Sequence, residues 1–415
     1  MRIAAAPFAG ETTDPAAAAD LFDPEFHAAG DPHAVWAHLR EHAPLHRQVL
    51  SDGRQFWSVT RYDDACRVLG DHREFTSERG SVLTQLGHDD VSSGKMLVST
   101  DPPRHGRLRR PLNRRLTARA LADWEGRIRQ AVTEFLAPAL GGGVWDVAER
   151  AYRLPMTVAG ALMGVPEKDW HDLVRWTAMA AAPDDAEFSV GSGAATLAVA
   201  HHQTFDYFAS QVRERRGAEP AEDLIGHLMS MGGGDAPLTD EEVIYNCYSI
   251  LLGANATTPH TVSGTLLALS EHPDQLRTAA GDPAAVVPTL VEEGLRWTSP
   301  ASSFLRYAVK DTELAGGRVA AGDAVAVWIG SANRDERIFT DPYRFDVLRD
   351  DNRHLAFGYG PHYCLGAPLA RLTFRILFDE FFRLFRSVET AGPARHLRSV
   401  FIAGLTQLPV VTEPR

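Results

Sequence analysis

Cysteine is scarce in this sequence of 415 residues. The chain has three cysteines, and no two of them form a Cys-x-x-Cys pair. Disulfide scaffolds and zinc sites need denser or paired cysteines, so this usage argues against both. The three are Cys66, Cys247 and Cys364. Such sparing use is typical of a protein of the reducing cytoplasm, which is the localisation we predict.

The chain also lacks the signals of membrane, nucleic-acid and nucleotide binding. No apolar run approaches the ~20 residues that a helix needs to span a bilayer, and no basic stretch with an apolar run marks a signal peptide. The formal net charge is −12, which disfavours general attraction to nucleic acid or acidic lipid. No Gly-x-Gly-x-x-Gly follows a strand pattern, so electrons for any redox reaction must come from outside the chain.

What is present is the composition of a globular enzyme, with 44% hydrophobic and 23% charged residues. Residues 1–19 predict a loose N-terminal leader, and residues 20–415 show no repeat or linker and predict a single domain. Two alternating runs around Asp52-Gly53 predict a hairpin. Residues 80–98 predict a long irregular loop of the kind that often covers a site.

One cysteine lies in a stretch that suits a reactive thiolate. Gly358, Gly360 and Gly366 surround Cys364, and an apolar helical run follows it. Glycine permits positive φ and close backbone approach, so the loop can fold tightly around the sulfur. The first amides of the next helix would point back at the thiolate and lower its pKa. A haem iron needs such a ligand, and the alternative is a buried structural cysteine beside a turn.

The pattern around this cysteine is similar to that of a known family. Phe357-x-x-Gly360-x-x-x-Cys364-x-Gly366 resembles the haem-binding loop of the cytochromes P450, in particular the soluble bacterial, ferredoxin-dependent class. The resemblance implies a mainly α fold with small β-sheets, in which haem b lies between a long I helix and the cysteine loop with its L helix. It also implies that Cys364 is the axial ligand of the iron and that Phe357 contacts the haem.

Seven arginines crowd residues 104–119 of an otherwise acidic chain. Such a run is either a solvated basic face or an anion dock combined with a partner surface. It resembles the family's C helix, which implies that His105 and Arg109 reach the haem propionates; being four residues apart, they share one helix face. The further propionate contacts implied by the resemblance are Arg306, His362 and, more weakly, His354.

A long helix is predicted over residues 238–271. Pro259 interrupts it, because proline cannot donate to the carbonyl four residues earlier. The segment resembles the family's I helix, which implies that Thr257 is the oxygen-activating threonine and that Asn255 belongs to the same catalytic segment. Ala256 stands where the family has an acid, so the carboxylate expected to relay protons is missing.

Glu293 and Arg296 stand three residues apart in a predicted helix. A surface pair of this spacing contributes only ~0.3–0.5 kcal/mol. Here it matches the Glu-x-x-Arg of the family's K helix, which implies a structural role beside the haem. The substrate contacts implied by the family's topology are Val82, Gln85, Asn255, Ala256, Ser302, Ser303, Phe304 and Ile402.

The resemblance implies a haem-thiolate oxidase or monooxygenase that activates O2. Its mostly small, apolar or neutral substrate contacts favour a neutral, aromatic or cyclic substrate of natural-product metabolism. Because the acid is missing, hydroxylation and radical C–C or C–N coupling, for example of Trp-containing diketopiperazines, both stay open. The alternatives are a macrolide or polyketide tailoring hydroxylase, a non-catalytic haem-binding protein, and a peroxide-driven peroxygenase, whose Arg-Pro pair is absent at Ala256-Thr257.

The electrons are expected from NAD(P)H through an external reductase and a ferredoxin. The Arg104–Arg119 helix would lie near the proximal haem face, and we predict that it docks an acidic ferredoxin. Besides these proteins, the expected partner is a small-molecule substrate, with no nucleic acid and no membrane.

Overall fold

The computed structural model describes residues 19–29, 31–217, 219, 222–232 and 237–415. Apart from Ala19, the leader predicted for residues 1–19 lies outside the described residues. The described chain is mainly helical with small sheets, as predicted. Its α-helices are α1 (Pro24–Ala29), α2 (Pro32–His42), α3 (Tyr62–Gly70), α4 (Arg104–Arg115), α5 (Ala118–Leu121), α6 (Glu125–Leu136), α7 (Val147–Ala151), α8 (Arg153–Met163), α9 (Trp170–Ala181), α10 (Gly193–Arg215), α11 (Leu224–Ser230), α12 (Asp240–Asn255), α13 (Thr258–Glu271), α14 (Pro273–Gly281), α15 (Pro283–Thr298), α16 (Ile329–Ala332) and α17 (Ala367–Leu384).

The strands are short and form small sheets at the edges of the helical body. They are β1 (Leu45–Val49), β2 (Gln55–Val59), β3 (Phe75–Thr76), β4 (Trp145–Asp146), β5 (Ser303–Ala308), β6 (Thr312–Leu314), β7 (Gly317–Val319), β8 (Ala324–Trp328), β9 (Phe385–Thr390), β10 (Arg395–His396), β11 (Leu405–Gln407) and β12 (Pro409–Pro414). The largest sheet has the order β1-β2-β8-β5-β3. The predicted hairpin is confirmed: β1 and β2 pair antiparallel, and Gly53 takes the turn with a φ of 86°.

The loop predicted over residues 80–98 is confirmed as largely irregular. Its regular parts are two single 3₁₀ turns, Leu83–Gln85 and Leu97–Ser99. It is attached to the start of α12, because the N–H of Leu97 donates to Oδ1 of Asn246 at 2.9 Å. None of the described helices combines the length and the apolar character needed to cross a bilayer.

The long helix predicted over residues 238–271 is two helices in the structure. α12 ends at Asn255 and α13 begins at Thr258, so the break comes before Pro259 rather than at it. The φ of Thr257 is −117°, far from the roughly −63° of a regular α-helix, while its ψ of −43° stays helical. Proline at the second position of α13 is favourable, because the N–H that it lacks is unpaired in a first helical turn anyway. The proline therefore starts a new helix instead of kinking an old one.

The Glu293–Arg296 pair lies in the interior of the protein. Both side chains are 0% exposed, and their closest nitrogen and oxygen are 2.7 Å apart. Arg296 also donates to the carbonyls of Asn333 and Pro342, each at 2.9 Å. The pair thus connects α15 to the segment that leads into the cysteine loop, and it is not the weak surface pair that this spacing usually gives.

Candidate functional site

The cysteine loop is folded around the Cys364 thiol by backbone contacts. The N–H of Cys364 donates to the carbonyl of Phe357 at 2.7 Å. Gly358 and Gly360 have φ of 72° and 69°, and a Cβ on Gly360 would lie 2.7 Å from Cα of Gly70 in α3. The loop therefore requires glycine at residue 360, because only glycine allows this close approach at a positive φ.

The backbone amides that follow Cys364 lower the pKa of its thiol, as expected, but burial raises that pKa by more. Burial raises the pKa of the Cys364 thiol, while the backbone N–H groups of Gly366 and Ala367 and the charge of Arg109 lower it. In the protein alone the desolvation outweighs these groups. The helix amides are in the predicted place and lower the pKa of Cys364 as predicted, but burial, which the prediction left out, has the larger effect and raises it.

A second network holds the cysteine loop from behind. Arg371 of α17 binds both carboxylate oxygens of Glu292 at 2.8 Å and donates to the hydroxyl of Tyr363 at 2.9 Å. Its guanidinium lies 4.6 Å from the centre of the Phe357 ring. Nε2 of His354 is 3.2 Å from Glu292, and Nδ1 of His354 accepts from the N–H of the residue two positions later, also at 3.2 Å. Both nitrogens of His354 are thus engaged in this network.

The four other predicted anion contacts form one cluster, which we call the cationic cluster after its two arginines. The rings of His105 and His362 have centroids 4.4 Å apart. Arg306 is 4% exposed and donates to the carbonyl of Leu305 at 2.8 Å. Arg109 donates to the carbonyl of Tyr363, next to the cysteine. The sequence prediction that these four side chains converge agrees with their positions in the structure.

The electrostatics of this cluster favour a bound anion. Burial and then neighbouring positive charges lower the pKa of His105 to about 4 and that of His362 to about 2. Burial lowers the pKa of Arg306 to about 10. Nε2 of His105 is buried without a hydrogen-bond partner, and among the described residues none of the four side chains forms an ion pair with a carboxylate. A ligand with two carboxylates would supply the missing acceptors.

Thr257 lies in the break between α12 and α13. Its Oγ1 donates to the carbonyl of Gly253 at 3.0 Å, and Gly253 is exposed although it is inside a helix. Nothing lies within 4 Å of the place where a Cβ on Gly253 would be. At the break, the backbone at Gly253 is therefore not covered by other side chains of the protein, and the Thr257 hydroxyl is hydrogen-bonded to it.

Ala256 faces an apolar cluster. It is 3% exposed and is grouped with Ala181, Ala182, Leu397 and Ile402. The partly buried members of the same group are Leu252, Phe188 and Phe401. Two predicted substrate contacts, Ala256 and Ile402, are thus brought together by the structure.

Several of the other predicted substrate contacts bind within the protein itself. Asn255 donates to Oγ1 of Thr177 at 3.2 Å, and Ser303 donates to the carbonyl of Val400 at 3.0 Å. Oε1 of Gln85 accepts from the N–H groups of Ser81 and Val82, at 2.8 and 3.1 Å. The N–H of Ser302 donates to the carbonyl of Phe401 at 2.8 Å, while its hydroxyl is buried without a partner. Phe304 packs on the sheet core beside β8.

Comparisons with known proteins identify the family. A sequence model described as cytochrome P450 matches residues 285–401. Cytochrome P450 NovI of Streptomyces niveus is 35% identical over 394 residues, which cover 94% of this chain and 95% of NovI. The chain belongs to the cytochrome P450 family. Cyclomarin C epoxidase CymV of Salinispora arenicola is 33% identical over 374 residues, covering 90% of this chain and 93% of CymV.

The fold of this P450 agrees with solved structures. The crystal structure of the P450 OxyD, which is involved in the biosynthesis of vancomycin-type antibiotics, matches it with a TM-score of 0.85 at 33% identity and covers 96% of this chain and 100% of OxyD. The predictions of a P450 fold and of a P450 monooxygenase are confirmed. Members of this family hold a haem iron through a cysteine thiolate.

Sequence reasoning missed several residues of this P450. Glu292, Arg371 and Tyr363 hold the cysteine loop, and Leu252 and Phe401 complete the apolar cluster at Ala256. The adjacent carboxylate of Glu292 was a signal in the sequence, but its partners lie 62 and 79 residues away. Leu252 was detectable, because it lies four residues before Ala256 and therefore on the same helix face.

Proposed function

We propose that this P450 oxidises a neutral, cyclic or aromatic natural product at a haem ligated by Cys364. The observation that carries the proposal is the apolar cluster beside Thr257, in which Ala256, Leu252 and Ile402 meet. The partly exposed members of this cluster, Leu252 and Phe401, would favour contact with a neutral ring system, because burying each CH2 gains ~0.8 kcal/mol, whereas a charged group without a partner is disfavoured there. Two relatives support the substrate class, since CymV is an epoxidase of cyclomarin C and OxyD is involved in the biosynthesis of vancomycin-type antibiotics.

The side chains present fit a haem. Cys364 is the one cysteine inside the matched residues 285–401. The cationic cluster of His105, Arg109, Arg306 and His362 would take the two propionates, and the unpartnered Nε2 of His105 supports this placement. When bound, the haem supplies the activation of O2 that the amino acids themselves lack.

Of the two residues proposed beside the reacting centre, Thr257 can take part in a proton pathway and Ala256 cannot. The Thr257 hydroxyl gives its hydrogen to the Gly253 carbonyl, so its oxygen is available to accept a hydrogen bond. Ala256 offers neither a donor nor an acceptor, and its neighbours are apolar. Proton delivery past Gly253 would then depend on water or on a polar group of the substrate.

This arrangement supports two reactions. Hydroxylation needs timed proton delivery, which the route past Gly253 would have to supply. Radical coupling of aromatic rings, by C–C or C–N bond formation, needs fewer protons delivered to the reacting centre. The apolar surroundings of Ala256 therefore favour coupling. Trp-containing diketopiperazines are the substrates that we propose for coupling, and macrolides or polyketides are the substrates for the hydroxylation alternative.

The proposed electron donor is an acidic ferredoxin, reduced from NAD(P)H by its reductase. Arg107, Arg110 and Arg114 are exposed on α4, whose Arg109 reaches the carbonyl beside Cys364. Arg104 forms an ion pair with Glu242 and lies on the side of α4 that faces the rest of the protein. Because exposed charges are screened beyond ~10 Å at 0.1 M salt, haem reduction should slow steeply as salt rises. Salt-independent reduction would overturn this docking site.

The proposal is tested by ligand titration of the purified ferric protein. A panel of Trp-containing cyclic dipeptides and a panel of macrolides are added while the Soret band is recorded. A saturable shift with the cyclic dipeptides, and products near twice the substrate mass on turnover, would support coupling. A shift with macrolides alone would establish the hydroxylase alternative.

A matched variant connects the titration to the apolar cluster. Leu252→Ser replaces a partly exposed apolar side chain of the cluster by a hydroxyl, and we expect it to weaken binding of the responding ligand by about tenfold, the loss expected when an aliphatic contact is removed. Val49→Ser, at a residue 61% exposed on β1, is the control and should leave binding unchanged. Equal binding by both variants would place the substrate elsewhere. No response to either panel, and none to fatty acids, would favour a non-catalytic haem protein.

A further inference from the structure

The hydroxyl of one buried serine, Ser399, holds the backbone at Phe401. Ser399 is 4% exposed. Its Oγ accepts from the N–H groups of Phe401 and Ile402, each at 3.1 Å, and donates to the carbonyl of Ala181 at 2.7 Å. A serine hydroxyl has one hydrogen and two lone pairs, so these three contacts use its full hydrogen-bonding capacity. The hydroxyl thus connects the backbone of Phe401 to an element far away in the sequence.

That element is the end of α9. Ala181 is the last residue of α9, and the last carbonyls of a helix have no partner within the helix itself. A second link lies close by, because Oδ2 of Asp185 accepts from the N–H of Arg398 at 2.8 Å. Asp185 is 6% exposed, and its Oδ1 accepts from the N–H of Glu187 at 2.9 Å. Two buried side chains therefore join the end of α9 to residues 398–402, which we call the Phe401 segment.

The opposite side of the Phe401 segment is attached to β5 and the residue before it. The carbonyl of Val400 accepts from the Ser303 hydroxyl at 3.0 Å. The carbonyl of Phe401 accepts from the N–H of Ser302 at 2.8 Å. Because the segment is held from both sides, the position of the Phe401 ring depends on the end of α9 as well as on the sheet.

Phe401 and Leu252 are partly exposed and pack against the buried cluster that contains Ala256 and Ile402. We propose that Ser399 is a positioning residue for substrate selectivity: by joining the Phe401 segment to α9, it fixes the Phe401 ring where a ring-shaped ligand would contact it. The inference rests on the proposed function, which places such a ligand against Leu252 and Phe401. Ser399 acts through Phe401, because its own hydroxyl is fully used within the protein.

The test titrates the haem-loaded ferric protein with 4-phenylimidazole and with imidazole while the Soret band is recorded. Both azoles bind iron through a ring nitrogen, but only 4-phenylimidazole carries an apolar ring for which Phe401 would be a contact. In Ser399→Ala a ligand must order the Phe401 segment as it binds, which weakens binding. The Kd of 4-phenylimidazole should rise by about three- to tenfold, the factor expected from one lost hydrogen bond. The Kd of imidazole should change by less than about twofold.

Two further variants separate positioning from a general loss of stability. Asp185→Asn keeps the shape of the side chain but leaves one oxygen for two N–H donors, so it should raise the ratio of the two Kd values by a smaller factor. Ser331→Ala is the matched control. Ser331 is 0% exposed, and its hydroxyl donates to the carbonyl of Thr60 at 2.8 Å and accepts from Arg40 at 3.0 Å, so none of these contacts involves the Phe401 segment. A ratio that is unchanged in Ser399→Ala, or that changes as much in Ser331→Ala, would overturn the inference.

A double-mutant cycle separates the role of Ser399 from the proposed function. Phe401→Ala alone should raise the Kd of 4-phenylimidazole, and adding Ser399→Ala to it should have little further effect, because Ser399 acts through Phe401. Fully additive effects of the two substitutions would overturn the role of Ser399 alone. A Kd of 4-phenylimidazole that Phe401→Ala leaves unchanged would overturn the proposed ligand contact at Phe401 and the role of Ser399 with it.

Discussion

Replacing Glu293 by glutamine should destabilise this P450 far more than the same change at a surface ion pair. One carboxylate with 0% exposure accepts from five donors. Nε and Nη2 of Arg296 lie at 2.7 and 2.8 Å, and Nε of Arg349 at 3.0 Å. Nδ2 of Asn352 and the N–H of Asp346 lie at 3.1 and 2.9 Å.

The expected magnitude follows from burial. Glutamine keeps the volume of the side chain but leaves two buried guanidinium groups without their carboxylate. Breaking a buried pair by removing one partner costs about 3–5 kcal/mol, and Arg349 adds to the loss because its side chain is only 8% exposed. Domains have a total stability of about 5–15 kcal/mol, so the variant should lose a large part of it.

The assay is urea unfolding of the haem-loaded protein, followed by far-UV circular dichroism. Glu125→Gln is the control, because Glu125 and Arg129 are paired on the surface with side chains 48% and 46% exposed. An exposed pair of this kind contributes about 0.5 kcal/mol or less. If Glu293→Gln lost less than about 1 kcal/mol, the reasoning that burial converts this weak spacing into a strong interaction would be refuted.

Three further substitutions test the site. Thr257→Val keeps the shape but removes the hydroxyl, so product formed per NAD(P)H consumed should fall by at least about tenfold; Thr257→Ser should retain most of it. Ala256→Asp places a carboxylate among apolar groups, which raises its pKa. The folded state then holds a proton that the unfolded state has already lost, so the stability of this variant to urea should fall as pH rises from about 5 to 8. Burial raises the pKa of Glu292, but hydrogen bonds from Arg371 and His354 lower it to about 2. Its stabilisation is therefore complete above about pH 4.5 and is lost as pH falls through about 2. The urea midpoints of the wild type and Glu292→Gln should differ at neutral pH and approach each other as pH falls to about 2.

The sequence predicted those parts of the site whose geometry is set by neighbouring residues. Gly358, Gly360 and Cys364 lie within seven residues, so the backbone conformation of one short loop decides where the thiol is. The same holds for the hairpin at Gly53, where a positive φ requires glycine. Local steric rules act before any tertiary contact is made, which is why such features can be read from the chain.

The parts that sequence reasoning placed differently depend on packing between distant elements. Asn255 is directed to Thr177 by the position of α9, and Gln85 is directed to its own loop by two free amides. His354 was expected to contact the ligand, and the structure engages it with Glu292 instead. A side chain three or four bonds long can reach several partners, and the choice among them is made by burial and hydrogen bonding in the folded protein.

The break between α12 and α13 includes residue 256, where the family has an acid, and it therefore bears on the proposed reaction. A threonine that bonds back to the carbonyl four residues earlier loosens a helix at that point, and Thr257 does so with Gly253. An acid at residue 256 would have to be desolvated among Ala181, Leu397 and Ile402, which is unfavourable unless a partner charge comes with it. The apolar cluster therefore suits an alanine at residue 256 and disfavours an acid there. This absence of a nearby proton donor at residue 256 is the physical reason for proposing a reaction that needs few delivered protons.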